Sequence, residues 1–159
     1  MKAIGLGVCL GTAALLVATG VAQSPKGVLS LNIAAAHSVV RSGEEMYAHV
    51  TFTNISDRVA MIEFSVPFCD YAVEVRDSTG NLAPDTEAES KFKCDKRYTG
   101  GHGIIQLKPH DSVTSNLSVS MFTNMSRPGE YSVQVGWREP KELGGVVVKS
   151  NTVKITVTP

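Results

Sequence analysis

Hydrophobic side chains alternate with polar ones along most of the chain. Met46, Ala48, Val50 and Phe52 occupy every second position of one run, and five further runs repeat this pattern. A period of two predicts β-strands with one buried face, and no window shows the longer period of an amphipathic helix. The core positions predicted in the other runs are Ala60, Ile62, Phe64 and Val66; Tyr71, Val73 and Val75; Val113, Leu117, Val119 and Met121; Tyr131, Val133, Val135 and Trp137; and Val153, Ile155 and Val157.

Turn-forming residues separate these runs. The segments Asn54–Asp57, Asp77–Asn81, Lys108–Asp111 and Arg127–Glu130 are rich in Asn, Asp, Gly and Pro, which favour tight turns. Many short strands with such turns, and no helices between them, predict an all-β, antiparallel β-sandwich of about seven to nine strands over residues 29–159. The C-terminal strand, Val146–Val157, is expected at a sheet edge.

The N-terminus has the pattern of an export signal. Lys2 precedes an uncharged stretch, Ala3–Ala22, that ends in small residues. This order is typical of a secretory signal peptide, so we expect cleavage after Ala22, a short linker at residues 23–28, and a secreted or periplasmic location. The alternative is an uncleaved membrane anchor, because 20 uncharged residues reach the length that crosses a bilayer.

Two cysteines remain after cleavage, Cys69 and Cys94. An even pair in an oxidising compartment predicts one disulfide, and the alternative is two buried thiols. A disulfide between Cys69 and Cys94 would add on the order of 3 kcal/mol to the free energy of unfolding by restricting the unfolded chain.

The connection from Leu82 to Gly103 is long and charged. Four acidic residues there are followed by a basic run with interleaved aromatic rings. Long connections in compact domains are usually functional or mobile, so this segment is the first place to expect a partner contact. The candidate contact residues are Lys91, Phe92, Lys93, Lys96, Arg97 and Tyr98; the alternative is a solvated loop.

Charge and motifs exclude several classes of protein. The 15 Lys and Arg balance the 15 Asp and Glu, which argues against a nucleic-acid binder. The common hydrolase, metalloprotease and nucleotide-binding motifs do not occur in the sequence. His102 and His110 flank a predicted strand, but their spacing is unlike that of a metal site, so they are interpreted as solvated loop residues. We therefore predict no enzyme, no cofactor and no metal.

Several segments carry a family resemblance. Phe52–Asp57, Tyr71–Gly80, Leu107–Ser112 and Arg127–Val133 are, in this order, similar to bacterial immunoglobulin-like domains of the family named after an intracellular proteinase inhibitor. The resemblance covers most of residues 44–137 and implies an immunoglobulin-like sandwich. Its usual Pro-Gly turn is replaced here by Pro109-His110, and Tyr131 is interpreted as a tyrosine corner.

A bacterial source also bears on three Asn-x-Ser triplets. They begin at Asn54, Asn116 and Asn124, and a eukaryotic secretory pathway could glycosylate them. Since the resemblance implies a bacterium, we expect them unmodified.

These observations favour a non-catalytic exported domain of the bacterial envelope or exterior that binds a protein partner. The identity of the protein partner is unknown, and a protease is one candidate. Nucleic acid is not an expected partner, and a membrane is expected only if the N-terminal segment is retained. The alternative, which rests on the resemblance, is a protease inhibitor that presents the disulfide-tethered segment between Cys69 and Cys94.

Overall fold

The computed structural model describes residues 27–92, 103–138 and 147–159. Within these ranges, the chain forms nine β-strands, two short α-helices and a 3-10 helix at Val119–Met121. None of these helices is long and apolar enough to cross a bilayer. The elements in chain order are β1 (Leu29–Ala35), β2 (Val39–Arg41), β3 (Tyr47–Asn54), β4 (Ala60–Phe64), α1 (Pro67–Asp70), β5 (Tyr71–Asp77), α2 (Glu87–Lys91), β6 (Gly103–Leu107), β7 (Ser112–Ser118), β8 (Gly129–Arg138) and β9 (Val147–Thr158).

The strands form three sheets. One has the order β1-β3-β7, a second has the order β2-β9-β8-β5, and β4 pairs with β6 in a third. The two larger sheets meet through Phe52 on β3 and Trp137 on β8, whose ring centroids lie 5.5 Å apart in an edge-to-face arrangement. Phe64 of β4 packs edge-on against the same Phe52 ring at 5.7 Å. All three sheets therefore contribute to one core, and the described residues are mostly β, as predicted. The two short α-helices, α1 and α2, depart from the prediction of an all-β chain with no helices between its strands.

The alternating pattern identifies most of the core. Met46, Ala48, Val50 and Phe52 are each at most 1% exposed, and so are Val133 and Val135 of β8. Among the predicted core positions, Phe64, Val66, Val73, Val113 and Val153 are partly buried, and Met121 is the one that is exposed, at 42%. The strand ends at Ser118, and the 3-10 helix that follows turns Met121 toward solvent. The prediction that Met121 belongs to the core is wrong.

Two predictions about the sheet are also wrong. The C-terminal strand β9 is not an edge, because β8 pairs with one side of it and β2 with the other at Thr156–Thr158. The pairing of β2 with β9 is parallel, so the fold is not wholly antiparallel. A three-residue strand such as β2 is too short to leave a visible alternating pattern.

Asn54 holds the turn after β3 together. Its side chain is fully buried, and Nδ2 lies within hydrogen-bonding distance of the carbonyl oxygens of Arg58, Leu107 and Lys108. Its Oδ1 accepts bonds from the backbone N–H and the hydroxyl of Ser56. One amide thus joins the end of β3 to the end of β6. A buried amide with these partners is inaccessible for modification in the folded chain.

The two turn residues that the sequence singled out have distinct backbone roles. His110 has a φ of 66°, the left-handed region in which glycine is the least strained residue. It therefore stands at a position that glycine would occupy with less strain. The Tyr131 hydroxyl donates to the Arg127 carbonyl at 2.8 Å, so the tyrosine corner is confirmed.

Candidate functional site

The site is a cleft over the outer face of the four-stranded sheet, beside β5. The core-facing residues of β8 alternate with Gln134, Gly136 and Arg138, which lie on the opposite face. Gly136 is paired with Ala72 of β5 and with Lys149 of β9, so these three residues form a floor. We call this the β5 cleft; it has a volume of about 280 Å³.

Glycine at position 136 gives the floor its depth. A Cβ atom there would lie 2.9 Å from Cγ1 of Val147 and 3.6 Å from the Ala72 side chain. Contacts under 3.0 Å force something to move, so a larger residue would displace Val147 or fill the space. The register shift between Gln134 and Gly136 places this glycine where the ladder of β8 and β9 is irregular.

The wall of the cleft is the segment from Leu82 to Glu89. Its start is held against β5, because the Ala83 N–H donates to the Val75 carbonyl at 2.9 Å. Its end is α2, which begins at Glu87 and is capped by Thr86. The Thr86 hydroxyl accepts from the Glu89 N–H at 3.1 Å and lies 2.5 Å from the Met121 carbonyl. These bonds fix the position of Glu89 on the wall.

Glu89 is the electrostatically unusual residue of the cleft. Its Oε2 atom is buried and has no hydrogen-bond partner among the described residues. Burial raises the pKa of Glu89, the nearby Asp85 carboxylate raises it further, and the Arg138 guanidinium partly opposes both. Both effects disfavour the ionised form of this partly buried carboxyl group, so a cation or hydrogen-bond donor added at the wall would stabilise it.

Both charges and apolar surface line the cleft. The acids Glu74, Asp85 and Glu89 share it with the bases Arg138 and Lys149. Glu74 is itself engaged, since its Oε1 lies 2.6 Å from Nε of Arg76. Leu82 and Ala83 supply apolar surface at the β5 side, whereas Val73 and Val75 pack toward the core. The cleft can therefore hold a side chain that has an apolar stem and a charged end.

The structure describes two of the predicted contact residues. Lys91 is exposed and forms an ion pair with Glu87 one turn earlier in α2. Phe92 is half-buried, and its ring lies 5.1 Å from that of Phe68, which in turn packs edge-on against Phe122. Phe92 therefore anchors the end of α2. Lys93, Lys96, Arg97 and Tyr98 lie outside the described residues, so the role of this set as a partner contact stays a prediction.

Other predictions depend partly on residues outside the described ranges. The signal peptide, residues 1–22, lies outside them, as do His102 and Cys94. Cys69 lies in α1, where its N–H donates to the Val66 carbonyl. The disulfide between Cys69 and Cys94 stays a prediction. His110 is exposed, with Nε2 3.6 Å from Asp57.

No group of three or more His, Cys, Asp or Glu side chains suited to holding a metal ion occurs among the described residues. The residues that form the floor were missed by sequence reasoning. Ala72, Gly136 and Lys149 come from three different strands, and in the sequence each stands at a position typical of a solvent-facing residue. The sequence pointed only to Asp85 and Glu89, because these acids lie in the long charged connection from Leu82 to Gly103.

Comparisons with known proteins give fold-level likenesses at low similarity. No protein-family model matches the chain, and no curated protein does. A CARDB domain from Pyrococcus furiosus, solved in complex with di-metal ions, is 14% identical, with a TM-score of 0.42 over 81% of this chain and 91% of that one.

Two further solved structures are similar at the same level. The sporulation control protein Spo0M from Bacillus subtilis is 12% identical, with a TM-score of 0.45 over 84% of this chain and 51% of that one. A β-glucosidase from Erythrobacter marinus is 14% identical, with a TM-score of 0.42; the match covers 82% of this chain but 15% of the enzyme. No conclusion about activity or ligand rests on these likenesses.

Proposed function

We propose that this chain is an exported, non-catalytic, immunoglobulin-like domain that binds a protein partner by enclosing one of its basic side chains in the β5 cleft. The observation that carries the proposal is the Glu89 carboxylate, which lines the cleft and has one buried oxygen without a hydrogen-bond partner in the described part of the chain. A buried acceptor without a donor costs stability, and a charged donor from a partner removes that cost.

The size of the cleft supports a side chain as the ligand. At about 280 Å³ it lies at the small end of the range of roughly 300–1,000 Å³ that is usual for small-molecule pockets, a size that one long side chain can fill. The apolar surface of Leu82 and Ala83 suits the methylene stem of Lys or Arg, and the acids Asp85 and Glu89 suit the charged end. Arg138 and Lys149 would favour an acidic neighbour of that basic residue in the partner.

An exported immunoglobulin-like sandwich is consistent with these features. Two sheets face each other around one core, a tyrosine corner is present at Tyr131, and the N-terminal sequence has the pattern of a signal peptide. Domains of this architecture commonly bind through loops and edges at the margin of a sheet, which is where the β5 cleft lies.

The test is a titration calorimetry experiment with two blocked peptides, Ac-Gly-Val-Lys-Val-Gly-NH2 and the same peptide with Glu in place of Lys. We expect the lysine peptide to bind and the glutamate peptide not to. Glu89→Gln should weaken binding of the lysine peptide by about tenfold or more, because a charge-assisted hydrogen bond contributes roughly 1.5–3 kcal/mol.

Glu87→Gln is the matched control. Glu87 lies on the same helix but is exposed and pairs with Lys91, so its loss should leave the affinity unchanged. Equal effects of the two substitutions, or no binding of the lysine peptide by the unmodified protein, would show that the cleft does not recognise a basic side chain. Inhibition of a secreted protease that persists in Glu89→Gln would favour the inhibitor alternative instead.

A further inference from the structure

The outer edge of β7 carries backbone groups that its own sheet does not use. Immediately after β7, the Val119 N–H donates to the Met46 carbonyl, which fixes the hydrogen-bonding phase of the pairing with β3. In an antiparallel ladder the bonded pairs alternate, so the odd-numbered residues of β7 are bonded to β3. The groups that face away belong to Ser112, Thr114, Asn116 and Ser118, and the described part of the chain offers them no backbone partner.

This edge lacks the features that usually prevent strand addition. Natural edge strands are protected by charges, proline, bulges or a covering element. The strand reads Ser-Val-Thr-Ser-Asn-Leu-Ser and contains no charged residue and no proline. Thr114, Ser115 and Asn116 at its centre are exposed. Among the described residues, no strand pairs with this edge along the seven residues of β7.

The order of residues in β7 is nearly symmetric about Ser115. If a second copy of the strand runs antiparallel to the first and centres on Ser115, Ser112 lies opposite Ser118 and Thr114 lies opposite Asn116. Val113 then lies opposite Leu117 on the core side. Each residue type meets a similar one, and no two like charges are brought together, as a two-fold symmetric interface requires.

From this edge and its symmetry, we propose that two copies of the chain associate through β7, forming a continuous six-stranded sheet. The phase of the hydrogen bonds agrees with this arrangement, because pairing about Ser115 matches even-numbered residues with even-numbered ones. Those are the residues whose N–H and C=O groups face outward, so each matched pair exchanges two hydrogen bonds.

The dimer would leave both β5 clefts open. The floor of the cleft belongs to the other sheet, so β7 pairing covers none of its residues. A symmetric dimer then presents two equivalent clefts, which strengthens binding to a partner that carries repeated basic sites. A single strand pairing buries little area, so we expect the association to be reversible and dependent on concentration.

The test uses paired charge substitutions on the exposed face of β7. Thr114 and Asn116 lie opposite each other across the proposed interface, so Thr114→Lys with Asn116→Lys places Lys against Lys. Thr114→Lys with Asn116→Glu places Lys against Glu in the same positions. The protein would be expressed from its full-length sequence and purified in the form that the cell produces. Analytical ultracentrifugation would then be run at protein concentrations from about 10 μM to 1 mM, the range of a weak association.

We expect the unmodified protein and the Lys/Glu variant to dimerise in this range, and the Lys/Lys variant to remain monomeric. Circular dichroism melting of all three proteins checks that they fold equally. A monomer for the unmodified protein at the highest concentration overturns the proposal. A Lys/Lys variant that is folded and still dimerises equally well also overturns it, because the contact then lies elsewhere.

Discussion

At the scale of single residues, the Asn54 side chain both closes its own turn and connects two strands. Its amide is fully buried and contacts the backbone of both Arg58 and Leu107. The sequence identified a turn at Asn54–Asp57, since Asn and Ser favour such turns. It did not show that this side chain also joins β3 to β6, because its partner Leu107 is 53 residues away in sequence.

His110 gives a prediction at the same scale. Its φ of 66° costs a residue with a Cβ about 1 kcal/mol or more, whereas glycine adopts this region freely. We expect His110→Gly to stabilise the protein by about 0.5–1 kcal/mol and to raise Tm by a few degrees. Thermal and chemical denaturation would measure the change.

Lys108→Gly is the control for that substitution. Lys108 precedes the same turn, but its φ is not in the left-handed region, so glycine there should destabilise the fold. If both glycine substitutions lower the stability by similar amounts, the account of strain at His110 is incorrect.

At the scale of elements, the sequence predicts where the strands lie better than it predicts which strands pair with each other. The alternation in β3 and β8 identified buried positions such as Phe52 and Val133 correctly. Periodicity records which face of a strand is buried but not which strand lies beside it. That is why β9 was placed at an edge, although β8 and β2 pair with its two sides.

The helix α2 gives a prediction at this scale. Thr86 caps it and bonds to the chain at Met121, so Thr86→Ala should remove about 1 kcal/mol from a five-residue helix. We expect faster amide hydrogen exchange in residues 87–91 and weaker binding of the lysine peptide, because Glu89 loses its fixed position.

Ser90→Ala is the matched control for Thr86→Ala. Its hydroxyl bonds only to the Glu87 carbonyl within the same helix, so exchange should change little. Unaltered exchange in Thr86→Ala would mean that the cap does not hold the wall of the cleft.

At the scale of the whole molecule, the cleft depends on parts of the chain that are distant in sequence. Gly136, Ala72 and Lys149 become neighbours only when β5, β8 and β9 pair. The sequence indicated the charged connection that contains Asp85 and Glu89, but it could not indicate the floor. The steric need for glycine at position 136 comes from Val147 on the neighbouring strand.

The predicted pH dependence follows from Glu89. A cation binds the ionised carboxylate, so peptide affinity should weaken as the pH falls through the raised pKa of Glu89. By linkage, a bound lysine side chain must lower the pKa of the same carboxyl group. The glutamate peptide should have no such effect.

The most direct test of the cleft is therefore an NMR titration of the Glu89 carboxyl carbon, alone and with saturating lysine peptide. We expect a pKa above the usual value for glutamate in the free protein, and a clearly lower pKa in the complex. A pKa that is ordinary in the free protein, or that does not change with bound peptide, would contradict the proposed role of the cleft.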